Sequence, residues 1–244
     1  MKHTATITFH AAHNYGSNLQ AYALQKIITS LGCDNEILNL RTERQKDLYR
    51  VFTKRKGLKY VVKNLSHLFY YFPLKRAYDR YEDFINNYLS VTKEYVSEKE
   101  LRDTDLDYDI YVAGSDQIWN PIPADFDWSY YLTFAKEGRK ISYAPSFGQL
   151  AALGDRKTQQ RIAESLHSFD IISVREQRSA DNVKLLIGKT PPIVLDPTLL
   201  LKKGEWLDLI KDRERLIKGD YIFFYTLFAD PNRMDIIKRV SKAI

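Results

Sequence analysis

The stretch richest in side chains that could do chemistry is GSDQIWNP, residues 114–121. It follows an apolar run that predicts a buried strand, and Gly114 allows the backbone to turn sharply where that strand ends. The turn delivers Ser115 and Asp116 to the strand end, and Asn120 follows close behind. Asp116 is therefore a candidate catalytic residue, with Gly114, Ser115 and Asn120 as candidate substrate-binding residues. The alternative is that Asp116 only caps the turn or a short helix after it.

A second polar turn lies between an early strand and a helix, at Asn14, Gly16, Ser17 and Asn18. Backbone N–H groups at the start of a helix can meet an anion, so these residues are candidates for substrate binding. The turn lacks the glycines of a dinucleotide fingerprint.

Two histidines, His10 and His13, precede this turn. Metal sites in proteins take three or four ligands, and no third ligand stands at a suitable spacing from this pair. The sequence therefore predicts no metal site.

Arg175 stands where an apolar run, residues 170–174, gives way to a helical pattern. The N-terminus of a helix favours anions, and a guanidinium adds charge and a fork of donors. Arg175 is a candidate anion ligand, and the alternative is a salt bridge to a nearby carboxylate. Asp196 precedes Pro197 and is predicted to shape a turn rather than perform chemistry.

Strand-like runs that alternate with helical patterns position these segments. The predicted strands are residues 5–9, 36–40, 108–113, 140–144, 170–174 and 192–195. The predicted helices are residues 17–32, 156–169 and 176–188. This alternation predicts an α/β fold with a doubly wound, mostly parallel sheet. Because ligands of such sheets bind beyond the carboxyl ends of the strands, Asp116, Arg175 and the turn at 14–18 are expected to share one crevice.

Length and composition limit the class of protein. The 244 residues suffice for one large domain, or for one domain and part of another. A single cysteine, Cys33, fits a reducing compartment, and the opening residues have no pattern of a secretory leader. No apolar run is long enough to span a bilayer. A cytoplasmic protein is expected, and its net charge of +6 favours an anionic substrate or an anionic surface.

Five motifs carry a family resemblance: NYGSNLQAYALQ, GSDQIWNP, ISYAPSFG, ISVREQRS and VLDPTLLL. In this order and spacing they resemble the polysaccharide pyruvyl transferase family, over most of residues 4–200 apart from 45–100. The resemblance implies a Rossmann-like half of a GT-B-like two-domain architecture. It also implies transfer of pyruvyl from phosphoenolpyruvate to two hydroxyls of a sugar in a surface or extracellular polysaccharide, as a cyclic ketal. Phosphoenolpyruvate would be the donor substrate, with no further cofactor.

The resemblance also suggests roles for single residues. Arg175 would bind the phosphate or the carboxylate of the donor, and the family's arginine-acid-x-x-serine pattern places Glu176 and Ser179 beside it. Asp116 would take a proton from the attacking sugar hydroxyl. Trp119 would either pack under a sugar ring or belong to the core.

Residues 45–100 depart from the α/β rhythm and are predicted to form a helical insertion. Residues 46–80 contain ten Lys or Arg against two Asp, interleaved with apolar and aromatic side chains. Such a segment could contact the inner face of an anionic membrane, which would suit a lipid-linked acceptor. The favoured alternative is an ordinary insertion packed on the sheet with its basic face in water. Nucleic acid is not an expected partner, because no recognised binding motif accompanies the charge.

The last residues are predicted to begin a second domain. The predicted domains are 1–215 and 219–244, the second made of a strand at 220–227 and a helix after Asp230. Because this matches only the start of the family's second domain, a shortened chain is expected. Two alternatives to the pyruvyl transferase therefore stay open: a non-catalytic remnant or scaffold protein of a polysaccharide locus, and a GT-B-type glycosyltransferase.

Overall fold

The structure of the chain is a computed structural model that describes residues 1–148, 153–211, 217–224, 226 and 230–243. The described residues form two compact units, Met1–Lys202 and Lys203–Ile244. The predicted domains, 1–215 and 219–244, remain predictions.

A parallel sheet forms the centre of the first unit. Its five described strands are β1 (Lys2–Ile7), β2 (Cys33–Leu40), β3 (Val91–Tyr95), β4 (Ile110–Ala113) and β5 (Arg139–Ser142). They lie in the order β3-β2-β1-β4-β5, and every neighbouring pair is parallel. This order confirms the predicted doubly wound, Rossmann-like α/β fold.

Helices flank the sheet. They are α1 (Tyr15–Ser30), α2 (Glu43–Tyr49), α3 (Leu58–Phe69), α4 (Tyr71–Tyr88), α5 (Glu98–Asp103), α6 (Arg156–His167) and α7 (Gln177–Ile187). Short 3₁₀ turns occupy Trp128–Tyr131 and Pro197–Leu199. Over the described part of the chain, no helix combines the length and the apolar character needed to cross a membrane.

The central strand β1 is buried on both faces. Ala5 and Ile7 have no exposed surface and belong to the main apolar core. Thr4 and Thr6 are buried on the opposite face, where the side-chain amide of Asn35 donates to both of their hydroxyls, at 2.8 and 3.0 Å. Because these polar groups satisfy one another, the strand can lie in the middle of the sheet.

The helical insertion predicted at 45–100 is correct for α3 and α4 but wrong at its end. Residues 91–95 form β3, which pairs with β2 at the edge of the sheet. The strand was not predicted because VTKEY has no apolar run: its Lys93 and Glu94 are charged and exposed. Charged side chains are common on edge strands, where they discourage pairing with other chains.

The strands predicted at 170–174 and 192–195 form only isolated parallel bridges, Ile141 with Ile171 and Val174 with Ile193. Serine side chains replace part of the backbone pairing in the first segment: the hydroxyl of Ser142 donates to the Ser173 carbonyl at 2.9 Å, and that of Ser173 to the Ser142 carbonyl at 2.7 Å. In the second segment Pro192 lacks an N–H for pairing. Both segments still extend the sheet edge in the parallel sense.

The second unit contains α8 (Lys203–Ile210) and α9 (Pro231–Ala243). The helix predicted after Asp230 is present, and the backbone carbonyl of Asp230 accepts from the N–H of Met234 at 3.0 Å. The strand predicted at 220–227 is not observed at its described residues, 220–224 and 226, while 225 and 227 lie outside the described residues. The apolar side chains of 221–224 are exposed.

Candidate functional site

The candidate site lies where the strand order reverses. β1 and β4 are neighbours in the sheet, and the chain runs outward from them in opposite directions, through β2 and β3 on one side and to β5 on the other. The loops that follow two such strands separate at their carboxyl ends and leave a crevice between them. One wall is the turn that begins α1, and the other is the segment that follows β4.

Gly114 makes the turn after β4 possible. Its φ is +142°, and a Cβ at this position would lie 2.0 Å from the backbone oxygen of Tyr143. Any larger residue would therefore collide with the neighbouring segment. The turn brings Asp116 to the crevice with a φ of +75°, and the Ser146 N–H fixes the Asp116 carbonyl at 2.8 Å. Such a backbone is uncommon outside glycine, although aspartate tolerates it better than most residues.

The Asp116 carboxylate joins the two walls of the crevice. Its Oδ2 accepts a 2.5 Å hydrogen bond from the Ser17 hydroxyl in the first turn of α1, and its Oδ1 accepts from the Gln117 N–H at 2.7 Å. The sequence predicted both walls but not this bond between residues 99 positions apart. One carboxylate held in one orientation is the arrangement required of a general base.

The turn at the start of α1 is closed by its own side chain. Asn14 is the N-cap, and its Oδ1 accepts from the N–H groups of Gly16 at 2.8 Å and Ser17 at 3.3 Å. Asn18 is buried, and its side-chain amide donates to the His10 carbonyl at 2.7 Å. The predicted anion donors at this turn are thus engaged by Asn14, and a ligand would have to compete with it.

Arg175 forms the salt bridge that was the alternative interpretation of its sequence position, and its role as an anion ligand remains a prediction. Its Nη1 donates to Oδ2 of Asp196 at 3.0 Å, and its Nε lies 3.5 Å from Oε2 of Glu176. Asp196 also shapes its turn as predicted, since its Oδ1 accepts from the Thr198 N–H and hydroxyl at 3.0 and 2.7 Å. Arg175 is therefore salt-bridged, and it also lines the crevice.

The crevice holds a cavity of about 230 Å³ lined by polar side chains. Its lining residues are Asn14, Gly16, Ser17, Gln20, Asp116, Arg175, Asp196 and Thr198. Asp116, Arg175 and the turn after β1 thus meet at one cavity. Sequence reasoning missed Gln20, Asp196 and Thr198 as lining residues. Gln20 lies one turn of α1 beyond Ser17, and that spacing was a usable signal.

The charges in the lining restrict what the cavity can bind. One guanidinium, Arg175, faces two carboxylates, Asp116 and Asp196. A compact trianion would meet net negative charge in this lining, and it could bind Arg175 only in place of Asp196. Hydroxyl groups, by contrast, can donate to these carboxylates directly. The described lining can therefore accept hydroxyl groups as it stands, whereas a highly charged ligand requires Arg175 to leave Asp196.

A family model described as polysaccharide pyruvyl transferase matches residues 14–244. The chain belongs to the polysaccharide pyruvyl transferase family. The match includes the whole lining of the cavity, the helical insertion and the second unit. No curated protein and no solved structure matches the chain at a significant level. Membership indicates a transferase with a donor substrate and a saccharide acceptor.

Three other predicted residues of this pyruvyl transferase family member, Ser115, Asn120 and Ser179, are not among the residues that line the cavity. Ser115 is buried, and its hydroxyl donates to the Ala144 carbonyl at 2.7 Å. Asn120 is buried, and its Oδ1 accepts from the Ile122 N–H at 3.1 Å. Ser179 is buried, accepts from the Phe147 N–H at 3.1 Å and donates to the Glu176 carboxylate. These contacts hold the site loops, and direct binding by these three side chains remains a prediction.

Trp119 belongs to the core of this family member. It has no exposed surface, and its ring stacks on that of Tyr131 with centroids 5.5 Å apart. Its indole N–H donates to the Tyr130 carbonyl at 3.3 Å. Of the two interpretations of Trp119, the core position is the one observed.

The two histidines near the turn have different partners. His10 is buried, and desolvation lowers its pKa to about 4 although the Asn39 side chain hydrogen-bonds to the ring. His13 lies 3.0 Å from the Glu82 carboxylate and stacks on the rings of Tyr49 and Tyr81. Across the residues that the structure describes, no three His, Cys, Asp or Glu side chains gather closely enough to hold a metal ion.

Proposed function

We propose that the chain transfers a pyruvyl group from phosphoenolpyruvate to two hydroxyls of a sugar in a surface or extracellular polysaccharide. The product is a cyclic ketal, and inorganic phosphate is released. The observation that carries this proposal is the Asp116 carboxylate, held by Ser17 in a cavity that it shares with Arg175. Family membership supports the same assignment.

The reaction needs proton transfers that a fixed carboxylate can assist. The enol carbon of the donor gains a proton and becomes a methyl group, which makes the neighbouring carbon electrophilic. The first sugar hydroxyl attacks this carbon and loses its proton. The phosphate then leaves with its bonding electrons, and the second hydroxyl closes the ketal and loses its proton. In the net reaction, one of the two hydroxyl protons replaces the proton taken up by the methyl group, and the other is found on the hydrogen phosphate.

Asp116 is the base for the attacking hydroxyl. Its carboxylate lines the cavity, and the Ser17 hydroxyl occupies one oxygen, so the orientation of the other is fixed. Catalysis by a well-positioned base typically contributes about a hundredfold or more to a rate.

Arg175 binds the donor through its carboxylate or its phosphate. It immediately precedes Glu176, the N-cap of α7, so the positive end of the helix adds to the guanidinium charge. Phosphoenolpyruvate carries about three negative charges, which compete with Asp196 for the guanidinium. Release of Asp196 would accompany donor binding, so donor affinity depends on this exchange.

No cofactor beyond the donor takes part in this proposal. The acceptor saccharide is lipid-linked, and the protein works in the cytoplasm at the inner face of the membrane. The basic residues of the segment 46–80 support this location, because an anionic leaflet attracts such a segment.

Ketal formation is the direct test. The protein is incubated with phosphoenolpyruvate and a panel of saccharides that carry neighbouring free hydroxyls, and the products are examined by NMR and mass spectrometry. A new ketal methyl signal, together with an equal amount of released phosphate, is the expected result. Transfer from a nucleotide sugar without ketal formation would assign the site to a glycosyltransferase instead. No product from either donor would favour a non-catalytic scaffold.

A further inference from the structure

The segment between Asp47 and Asp79 contains no acidic residue. Residues 48–78 carry eight Lys or Arg side chains and no Asp or Glu. Three of the eight are paired with carboxylates, Arg50 with Glu43 at 3.0 Å, Arg55 with Asp47 at 2.8 Å and Lys75 with Asp79, which leaves an excess of positive charge. This segment, which contains α3 and the start of α4, is therefore a strongly positive surface.

Helix α3 exposes its apolar side chains instead of burying them. None of its residues is buried. Its six leucine, valine and phenylalanine side chains are between 53% and 88% exposed, and the helical period places them on one side. We call these six the α3 stripe: Leu58, Val61, Val62, Leu65, Leu68 and Phe69. Phe72, at the start of α4, is 83% exposed.

Polar contacts hold α3 to the protein by a different face. The Asn64 side chain accepts from the Thr53 N–H and donates to the Thr53 carbonyl, both at 3.0 Å. The His67 ring contacts the Val51 carbonyl, and the Arg55 guanidinium lies 5.9 Å from the Tyr60 ring centroid. Positions 60, 64 and 67 share one face of the helix, so this anchoring leaves the α3 stripe free to meet another surface.

The charge beside the stripe selects its occupant. Lys59 and Lys63 are exposed on the helix, and Lys54 and Lys56 are exposed just before it. A second copy of the same surface would bring like charge against these residues. An anionic bilayer offers both an apolar interior for the stripe and negative headgroups for the lysines.

We propose that α3 is a membrane-surface helix that binds anionic phospholipid bilayers. The α3 stripe and Phe72 enter the boundary between headgroups and acyl chains, and the flanking lysines contact the headgroups. The helix lies in the plane of the surface, as an amphipathic helix with a basic polar face does.

Helix α4 connects this surface to the candidate site. Its Glu82 carboxylate contacts His13 at 3.0 Å, and its Tyr81 ring stacks on His13 with centroids 4.9 Å apart. His13 directly precedes Asn14, the N-cap of the site helix. The rise of a helix places Glu82 about 16 Å along α4 from Tyr71. Membrane binding by α3 would thus hold the cavity at a fixed distance from the bilayer. That the cavity receives a lipid-linked acceptor rests on the proposed function.

Vesicle co-sedimentation of the full chain tests the proposal. The wild-type protein should sediment with vesicles of phosphatidylcholine and phosphatidylglycerol in equal amounts, and far less with phosphatidylcholine alone. Raising the salt to about 1 M shortens the screening length to about 3 Å and should weaken binding about tenfold. Equal binding to both vesicles, or no binding to the anionic ones, would overturn the proposal.

Two variants separate the apolar contribution from the charge. Val62→Ser with Leu65→Gln should reduce the partition coefficient about tenfold or more, because both side chains belong to the inserted face. Lys59→Gln with Lys63→Gln should reduce binding to anionic vesicles by about tenfold or more. The matched controls change exposed residues of α7 and its end, Leu185→Gln alone and Lys184→Gln with Lys189→Gln, and should bind as the wild type does.

The outcomes also distinguish membrane binding from dimerisation through the α3 stripe, and from the proposed pyruvyl transfer. Stripe variants that bind vesicles normally would overturn it, and so would variants that only convert a dimer to a monomer in light scattering. Circular dichroism and urea unfolding should show unchanged folding, since the substituted side chains are exposed. Pyruvyl transfer to a soluble acceptor should be unaffected by the stripe variants, so loss of vesicle binding and loss of the reaction are separate results.

Discussion

The Ser17 hydroxyl lies 2.5 Å from Oδ2 of Asp116 and donates a hydrogen bond to it. This contact joins the first turn of α1 to the turn after β4, across the point where the strand order reverses. The backbone of Asp116 is held separately by the Ser146 N–H. The carboxylate is therefore oriented by groups from two different segments, and its position depends on both.

Removing the Ser17 hydroxyl should slow catalysis without preventing it. Ser17→Ala leaves Asp116 in place but frees its Oδ2, so we expect kcat to fall about tenfold, equivalent to about 1.4 kcal/mol. Ser17→Thr keeps a hydroxyl and should retain more activity than Ser17→Ala. Steady-state phosphate release measures both variants. An equal loss of kcat in the two variants would show that the position tolerates no change in side-chain shape. The lost hydrogen bond would then not explain the slower reaction.

Arg175 should govern donor affinity. Arg175→Gln removes the guanidinium and should raise KM for phosphoenolpyruvate about tenfold or more, because charge-assisted contacts are lost. Arg175→Lys keeps the charge but lacks the planar fork of donors, so its KM should lie between those of the wild type and Arg175→Gln. The control is Arg178→Gln, at an exposed residue that is the second residue of α7. Similar kinetics for the Gln variants at 175 and 178 would contradict the donor-binding role.

Gly114 should be irreplaceable for stability. In Gly114→Ala the new Cβ would lie 2.0 Å from the Tyr143 oxygen, so we expect the free energy of unfolding to fall by about 3 kcal/mol or more. Gly188→Ala is the matched control: Gly188 has a φ of +72° but nothing within 4 Å of its added Cβ, so it should lose only about 1 kcal/mol. Urea unfolding compares the two variants, and equal losses would contradict the steric argument.

His10 should make stability depend on pH. Burial lowers its pKa to about 4 in the folded chain, against 6.5 as the ordinary value. The unfolded chain therefore binds a proton first as the pH falls, so stability is full above about pH 6.5 and is lost toward pH 4. The expected loss between pH 7 and pH 5 is about 2 kcal/mol.

Urea unfolding of His10→Gln at these two pH values isolates that contribution. The substitution should remove most of this part of the pH dependence, whereas His167→Gln, at an exposed histidine of α6, should leave it unchanged. An unaltered pH dependence in His10→Gln would assign the effect to other groups.

Sequence periodicity was sufficient for most of the fold. The strands that became β1, β2, β4 and β5 were apolar runs between helical patterns, and their parallel order follows from the helical connections. The strand β3 was hidden because an edge strand can carry exposed charges. The segments at 170–174 and 192–195 have the composition of strands, but serine side chains and Pro192 interrupt their pairing.

The sequence predicted which segments form the site, but not the contacts between their side chains. The carboxyl-end rule brought Asp116, Arg175 and the turn after β1 to one edge, and Asp116, Arg175 and most of the predicted turn residues line one cavity, whereas Asn18 is buried. No local sequence pattern specifies the positions of these side chains. The hydrogen bond between Ser17 and Asp116 and the salt bridge between Arg175 and Asp196 were therefore not predictable. Ser115 and Asn120 are polar residues in the same loop, but their side chains are directed into the protein.

The most direct test of the account compares Asp116→Asn with the wild type in phosphate release from phosphoenolpyruvate. Asparagine has nearly the same shape and tolerates the left-handed backbone at this position, so the fold should be retained. The account predicts phosphate release that depends on a saccharide acceptor, and a rate about a hundredfold or more lower in the variant. Equal rates in the two proteins, or no acceptor-dependent release by the wild type, would contradict it.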